Sequence, residues 1–76
     1  MDKVEKRVNR IIGQLRGIEK MTHQKRTVEE ILQQISAVKK AIDGLTKELV
    51  ISDIQSYVPV DKLKEVEKMV ERAINL

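Results

Sequence analysis

The sequence predicts an all-α protein, a three-helix protomer built from a long helical hairpin and a short C-terminal helix. Three observations carry this. Apolar residues recur at spacings of three and four along most of the chain. The only proline is Pro59, so no proline interrupts a helix in the first 58 residues. Tyr57 is the only aromatic residue of 76, which leaves a core of Ile, Leu, Val, Met and Ala that suits helix packing better than a β-sandwich.

Val4, Val8, Ile11, Leu15 and Ile18 draw one stripe and predict a helix over about residues 3–22, with Asp2 placed to cap its start. The pattern dissolves at Thr22-His23-Gln24-Lys25-Arg26, a polar stretch that reads as a tight connection. Thr27-Val28-Glu29-Glu30 then has the capping-box arrangement: Thr27 accepts from a free backbone N–H while Glu30 reaches back. The second helix, about residues 28–57, carries Val28, Ile31, Ile35, Val38, Ile42, Leu45 and Leu49 as its stripe. Gly44 projects to the opposite face, at a cost of about 1 kcal/mol relative to alanine. After Pro59-Val60, Asp61 is placed to cap a third helix, about residues 61–74, with Leu63, Val66, Val70, Ala73 and Ile74 as its stripe.

The second helix is too long for its partner. At ~1.5 Å per residue it spans ~45 Å against ~30 Å for the first. In the overhang, Leu49, Val50, Ile51, Ile54, Tyr57 and Val58 surround the axis, as in a helix buried on several sides. The third helix is too short to cover them, so the expectation is a homodimer or larger symmetric assembly of bundled long helices.

Composition excludes much chemistry. There is no cysteine, hence no disulfide, zinc knuckle or thiol nucleophile. His23, with no second His or Cys to join it, reads as an exposed turn residue rather than a ligand. Met1, Met21 and Met69 lie in separate segments and form no thioether cluster. No acidic pair is accompanied by a base, a nucleophile or a glycine-rich phosphate loop, so the expectation is a protein without catalytic function. No segment approaches ~20 apolar residues, and Met1-Asp2-Lys3-Val4-Glu5 lacks the apolar run of a signal peptide, which predicts a soluble, cytoplasmic protein. Charged neighbours make the Gly13-x-x-x-Gly17 spacing a weak signal for membrane dimerisation.

The formal charge of +3 is unevenly placed: residues 1–40 carry ten Lys/Arg and five Asp/Glu, residues 41–76 five and seven. Projected along the first helix, Lys3, Lys6, Arg7, Arg10 and Gln14 gather roughly 110° from the apolar stripe, bordered by Gly13 and Gly17. Lys40 and Lys47 project opposite the core of the second helix, with Lys39 to the side. Such a bias favours an acidic partner, nucleic acid first; the alternative is an ordinary solvated helix face. Assembly multiplies the flank into an extended positive surface. No helix-turn-helix pair is apparent, so a single recognition helix in a major groove is not expected.

The run Arg7-Val8-Asn9-Arg10-Ile11-Ile12-Gly13-Gln14-Leu15-Arg16-Gly17-Ile18 resembles the first-helix signature of the CsoR/RcnR/FrmR family of bacterial metal- and aldehyde-responsive repressors. Ile31-Leu32-Gln33-Gln34-Ile35-Ser36-Ala37-Val38-Lys39-Lys40-Ala41-Ile42 resembles that family's second-helix core, at the expected distance, and the likeness covers about residues 4–58. The resemblance implies an antiparallel four-helix-bundle dimer and a flat tetramer holding operator DNA against basic faces, without a winged or helix-turn-helix reader. It implies DNA contacts at positions matching Arg7, Arg10, Arg16, Lys39 and Lys40. Repression in the family ends when an effector binds one form of the tetramer better than the other.

The chain departs from that pattern at the sensor. Val28 stands where the family has its first effector-binding cysteine, and Asp53 and Tyr57 take the places of the histidine and second cysteine, one helical turn apart. Copper(I) needs soft thiolate and imidazole donors, whereas valine donates nothing and carboxylate and phenol are hard oxygen groups. Copper sensing through these positions is therefore not expected, and the nucleophile for persulfide or formaldehyde responses is missing as well. Asp53 projects beside the core stripe and reads as a partly buried acid paired with a Lys or Arg of another helix; a hard-metal or small-effector contact made with Tyr57 is the alternative. The reading that follows is a DNA-binding repressor whose soft-metal site is absent. Its rivals are a bundle that has become an interaction scaffold, for instance with a cysteine-bearing paralogue, and a repressor answering a harder ion or an organic ligand.

Overall fold

The computed structural model describes residues 2–74, without the side chain of Asp2, so the expected Asp2 cap lies outside the described residues. Helix α1 spans Asp2–His23, α2 spans Val28–Ile54, a 3₁₀ turn covers Val60–Lys62, and α3 spans Leu63–Ile74. No strand occurs among the described residues.

The hairpin corner is specified by its local chemistry. Arg26 N–H donates to the Met21 carbonyl at 3.1 Å and Lys25 N–H to the Thr22 carbonyl at 3.3 Å. This paired pattern ends a helix when the residue after its cap turns left-handed, and Lys25 does so with φ 54°. Thr22 and His23 thus belong to α1 rather than to the connection. Thr27 opens α2 as expected: its hydroxyl accepts from Glu30 N–H at 3.2 Å, and Glu30 Oε1 accepts from Thr27 N–H at 3.5 Å. Arg26 braces the same carboxylate, its Nε donating at 3.0 Å.

At its far end α2 stops at Ile54, short of the expected residue 57. Pro59 disfavours helical geometry at Val58, and the chain tightens before it: Tyr57 N–H and Val58 N–H both donate to the Ile54 carbonyl, at 2.8 and 3.1 Å. Tyr57 therefore sits in a turn, not one helical turn beyond Asp53. Asp61 does not cap α3; it lies inside the 3₁₀ turn, which begins after Pro59 without a side-chain cap, and α3 proper starts at Leu63.

α1 and α3 both pack on α2, which lies between them. The result is a thin layer with Cα extents of 51 × 26 × 10 Å. Its radius of gyration is 15.8 Å, against about 11 Å for a compact domain of this length. Among the described residues, Ile11 of α1 and Val38 of α2 are the only buried apolar side chains. Ile12, Leu15, Leu32, Ile42, Leu49 and Val50 are all exposed. On α2, Val28, Leu32, Ile42, Leu49 and Val50 project into an arc of about 100° turned away from α1 and α3. The protomer exposes 6322 Å², whereas a compact 8.8 kDa monomer exposes about 4,800 Å². A surplus of about 1,500 Å² per protomer exceeds the roughly 800 Å² that each partner buries in a standard-size interface.

Candidate functional site

Positive charge collects where the N-terminal half of α1 passes the C-terminal half of α2. Lys3, Lys6, Arg7 and Arg10 recur at helical spacing and, with Glu48 of α2, enclose a cavity of 310 Å³. One of the four is partly committed inward. Arg7 Nη2 lies 3.8 Å from the Glu48 carboxylate, and its Nη1 sits where a Cβ on Gly44 would be only 2.8 Å away. Gly44 is thus not on the face opposite the core: it is half-buried against α1, and its missing side chain leaves the space the guanidinium occupies. Among the described residues no ion pair engages Lys3, Lys6 or Arg10.

The other expected contacts lie on different surfaces. Arg16 borders Ile12, Leu15 and Glu19 on the opposite flank of α1. Lys39 is exposed and projects to the same side of α2 as Leu32 and Val50. Lys40 lines a 300 Å³ cavity between α2 and α3, beside Asp43, Lys47 and Glu71. Of the five, one protomer brings together Arg7 and Arg10 only. Lys47, expected on the wet face of α2, instead pairs with Glu71 of α3 and is half-buried. The Lys47 hydrogen bond, and then its charge, hold the Glu71 carboxyl below its ordinary range. The Glu30 carboxyl is likewise lowered, first by the hydrogen bond from Arg26 and then by that from Thr27.

A second cavity, of 560 Å³, runs along the same side of α1 toward the hairpin corner and shares Arg10 with the first. Gly13, Gly17, Lys20, Arg26, Gln14 and Gln34 are among the residues that line it. Neither glycine has positive φ, and a Cβ added to either meets nothing within 4 Å. Each costs the helix about 1 kcal/mol relative to alanine with no return inside the protomer. Gln14 Oε1 is enclosed and has no hydrogen-bond partner. The sequence places Gly13 and Gly17 at the edge of the basic flank, but the enclosed amide depends on packing and carries no sequence signal.

The positions matched to the family's sensor are far apart in one protomer. Val28 is the first residue of α2 and is 71% exposed; Asp53 lies near the helix's other end, and Tyr57 beyond it is 76% exposed. A helical rise of ~1.5 Å over the 25 intervening steps puts Val28 and Asp53 roughly 38 Å apart. Asp53 is exposed rather than half-buried, and its backbone carbonyl accepts from Ser56 Oγ at 2.8 Å. No ion pair from another helix reaches its side chain among the described residues. An aliphatic, a carboxylate and a phenol do not make a donor set for a soft metal ion, so the residues do not fit that group. No cluster of three or more His, Asp or Glu among the described residues is placed to hold a metal. His23 ends α1, exposed.

No helix among the described residues is long and apolar enough to cross a membrane. Over residues 1–76 the sequence matches the model of a family described as metal-sensitive transcriptional repressors, and the chain belongs to that family. Comparison with curated proteins and with solved structures gives no match.

Proposed function

We propose that this chain is a self-associating, DNA-binding transcriptional repressor in which the basic side of α1 engages duplex DNA and the soft-metal response is absent. The observation that carries the reading is the cation cluster of Lys3, Lys6, Arg7 and Arg10, which faces a single carboxylate, in a member of a repressor family. Four cations on one protomer give modest affinity. Pairing copies through the open apolar face of α2 multiplies them on one assembly, and counterion release then scales with the number of phosphates neutralised. An antiparallel pairing of α2 helices, extended to a flat tetramer, also brings Val28 of one copy toward Asp53 and Tyr57 of another.

In that arrangement the three positions supply no thiolate and no imidazole, so copper(I) has no site there and repression is not relieved by cuprous ions. The test is a titration of the duplex upstream of its own coding region, with a random duplex of equal length as reference. At matched ionic strength the upstream duplex binds at least tenfold tighter, and cuprous ion leaves both curves in place. Equal affinity for the two duplexes contradicts the repressor reading.

A further inference from the structure

Lys3, Lys6, Arg10, Gly13, Gly17 and Lys20 follow one another at spacings of three, four, three, four and three, which sets them in a single line along α1. The line has cations at both ends and bare backbone in the middle, and both cavities on this side of the protomer open onto it. We infer that this line is the track of a DNA sugar–phosphate strand, with Gly13 and Gly17 present so that the strand can lie against the helix itself. The inference rests on the DNA-binding reading and specifies its contact surface.

Three features converge on that occupant. The 560 Å³ groove holds Arg10, Lys20 and Arg26 and no carboxylate in its lining; Arg26 shares its charge with Glu30 at the corner, so Arg10 and Lys20 are its free cations. From Lys3 to Lys20 the line measures about 25 Å along the helix, long enough to run beside several successive phosphates of one strand. The glycines serve neither backbone conformation nor packing within the protomer, so what requires them comes from outside. Gln14, between them in sequence, has an enclosed carbonyl oxygen without a donor; turning outward, its amide meets the polar groups of a bound strand. A second copy of the same groove is a poor occupant, because a symmetric contact would bring Arg10 and Lys20 against their own counterparts.

The experiment compares the wild type with the Gly13→Ala/Gly17→Ala double variant, which adds two methyl groups where the protomer has open space. Thermal unfolding, sedimentation and fluorescence anisotropy with a random duplex at low salt and with the upstream duplex are read together. The expected result is a melting temperature equal to or above wild type, an unchanged sedimenting mass, and affinity for both duplexes at least tenfold weaker. The companion Lys20→Gln lowers the salt dependence of binding by about one phosphate per protomer engaged. Wild-type affinity in the double variant overturns the track while leaving the DNA-binding reading in place. Weakened binding accompanied by a changed mass also overturns it, since the glycines then serve contact between copies. Absence of any salt-sensitive binding by the wild type removes the reading on which the track rests.

Discussion

Leu32 offers the most direct perturbation of the open face of α2. It is 55% exposed in the protomer, so roughly half of its burial is still available. Fully burying a leucine side chain contributes about 1.5–3 kcal/mol, which leaves ~1 kcal/mol per residue for an interface. Leu32→Ala keeps one methyl of that, and in a two-fold assembly the substitution occurs twice. The expected loss is about 1.5 kcal/mol, roughly a tenfold weaker dimer. Sedimentation equilibrium over a range of concentrations reads that shift, and circular dichroism checks that helix content is retained. A dissociation constant unchanged within twofold, with the helices intact, refutes the assignment of this face to self-association.

Further outcomes follow from the local geometry. Lys25→Gly relieves a left-handed backbone and raises stability by about 0.5–1 kcal/mol, measured by urea unfolding. Gly44→Ala places a methyl 2.8 Å from Arg7 Nη1 and moves the end of that flexible side chain. A gain of about 1 kcal/mol in helix propensity then offsets the partly exposed Arg7–Glu48 pair, about 0–1 kcal/mol, so net stability stays level or rises; a loss above about 2 kcal/mol contradicts the assignment of that close contact to a movable side-chain end. Glu30 and Glu71 both have lowered folded-state pKa values. Their contribution is present above the ordinary carboxylate value of 4.5 and is lost as pH falls through the lowered values. Stability therefore declines on acidification below that point, and Glu30→Gln flattens the decline in a pH series of thermal melts.

The hairpin was legible because its signals are local. Thr27 and Glu30 announce a helix start whatever surrounds them, and the polar run before them marks the corner. Where the structure departs from expectation, the cause is a neighbour that periodicity does not see. The apolar stripe of α2 continues past Ile54, but the constraint of Pro59 reaches back through Val58 and ends the helix sooner. Gly44 projects away from the stripe's mean direction; yet α2 packs on two helices at once, so its buried arc is wider than its apolar one and Gly44 faces Arg7. For the same reason Lys47 meets Glu71 instead of water. Asp53 falls within the stripe by projection, but that part of the stripe is the uncovered face, so the carboxylate is exposed. Family likeness pointed to which residues to consider at the proposed DNA face and left their distribution open: a single protomer separates Arg16, Lys39 and Lys40 from Arg7 and Arg10.

The salt dependence of DNA affinity tests most directly whether assembled copies pool their positive flanks. One protomer offers Lys3, Lys6, Arg7, Arg10 and Lys20 on this side, and five phosphate contacts limit a lone copy to a slope of about −4.5 in log affinity against log salt. The expected slope is steeper than about −4.5, approaching about −9 when two copies engage one duplex. A slope no steeper than a single protomer allows, or an affinity indifferent to salt, contradicts the claim that assembled copies pool their positive flanks on one duplex.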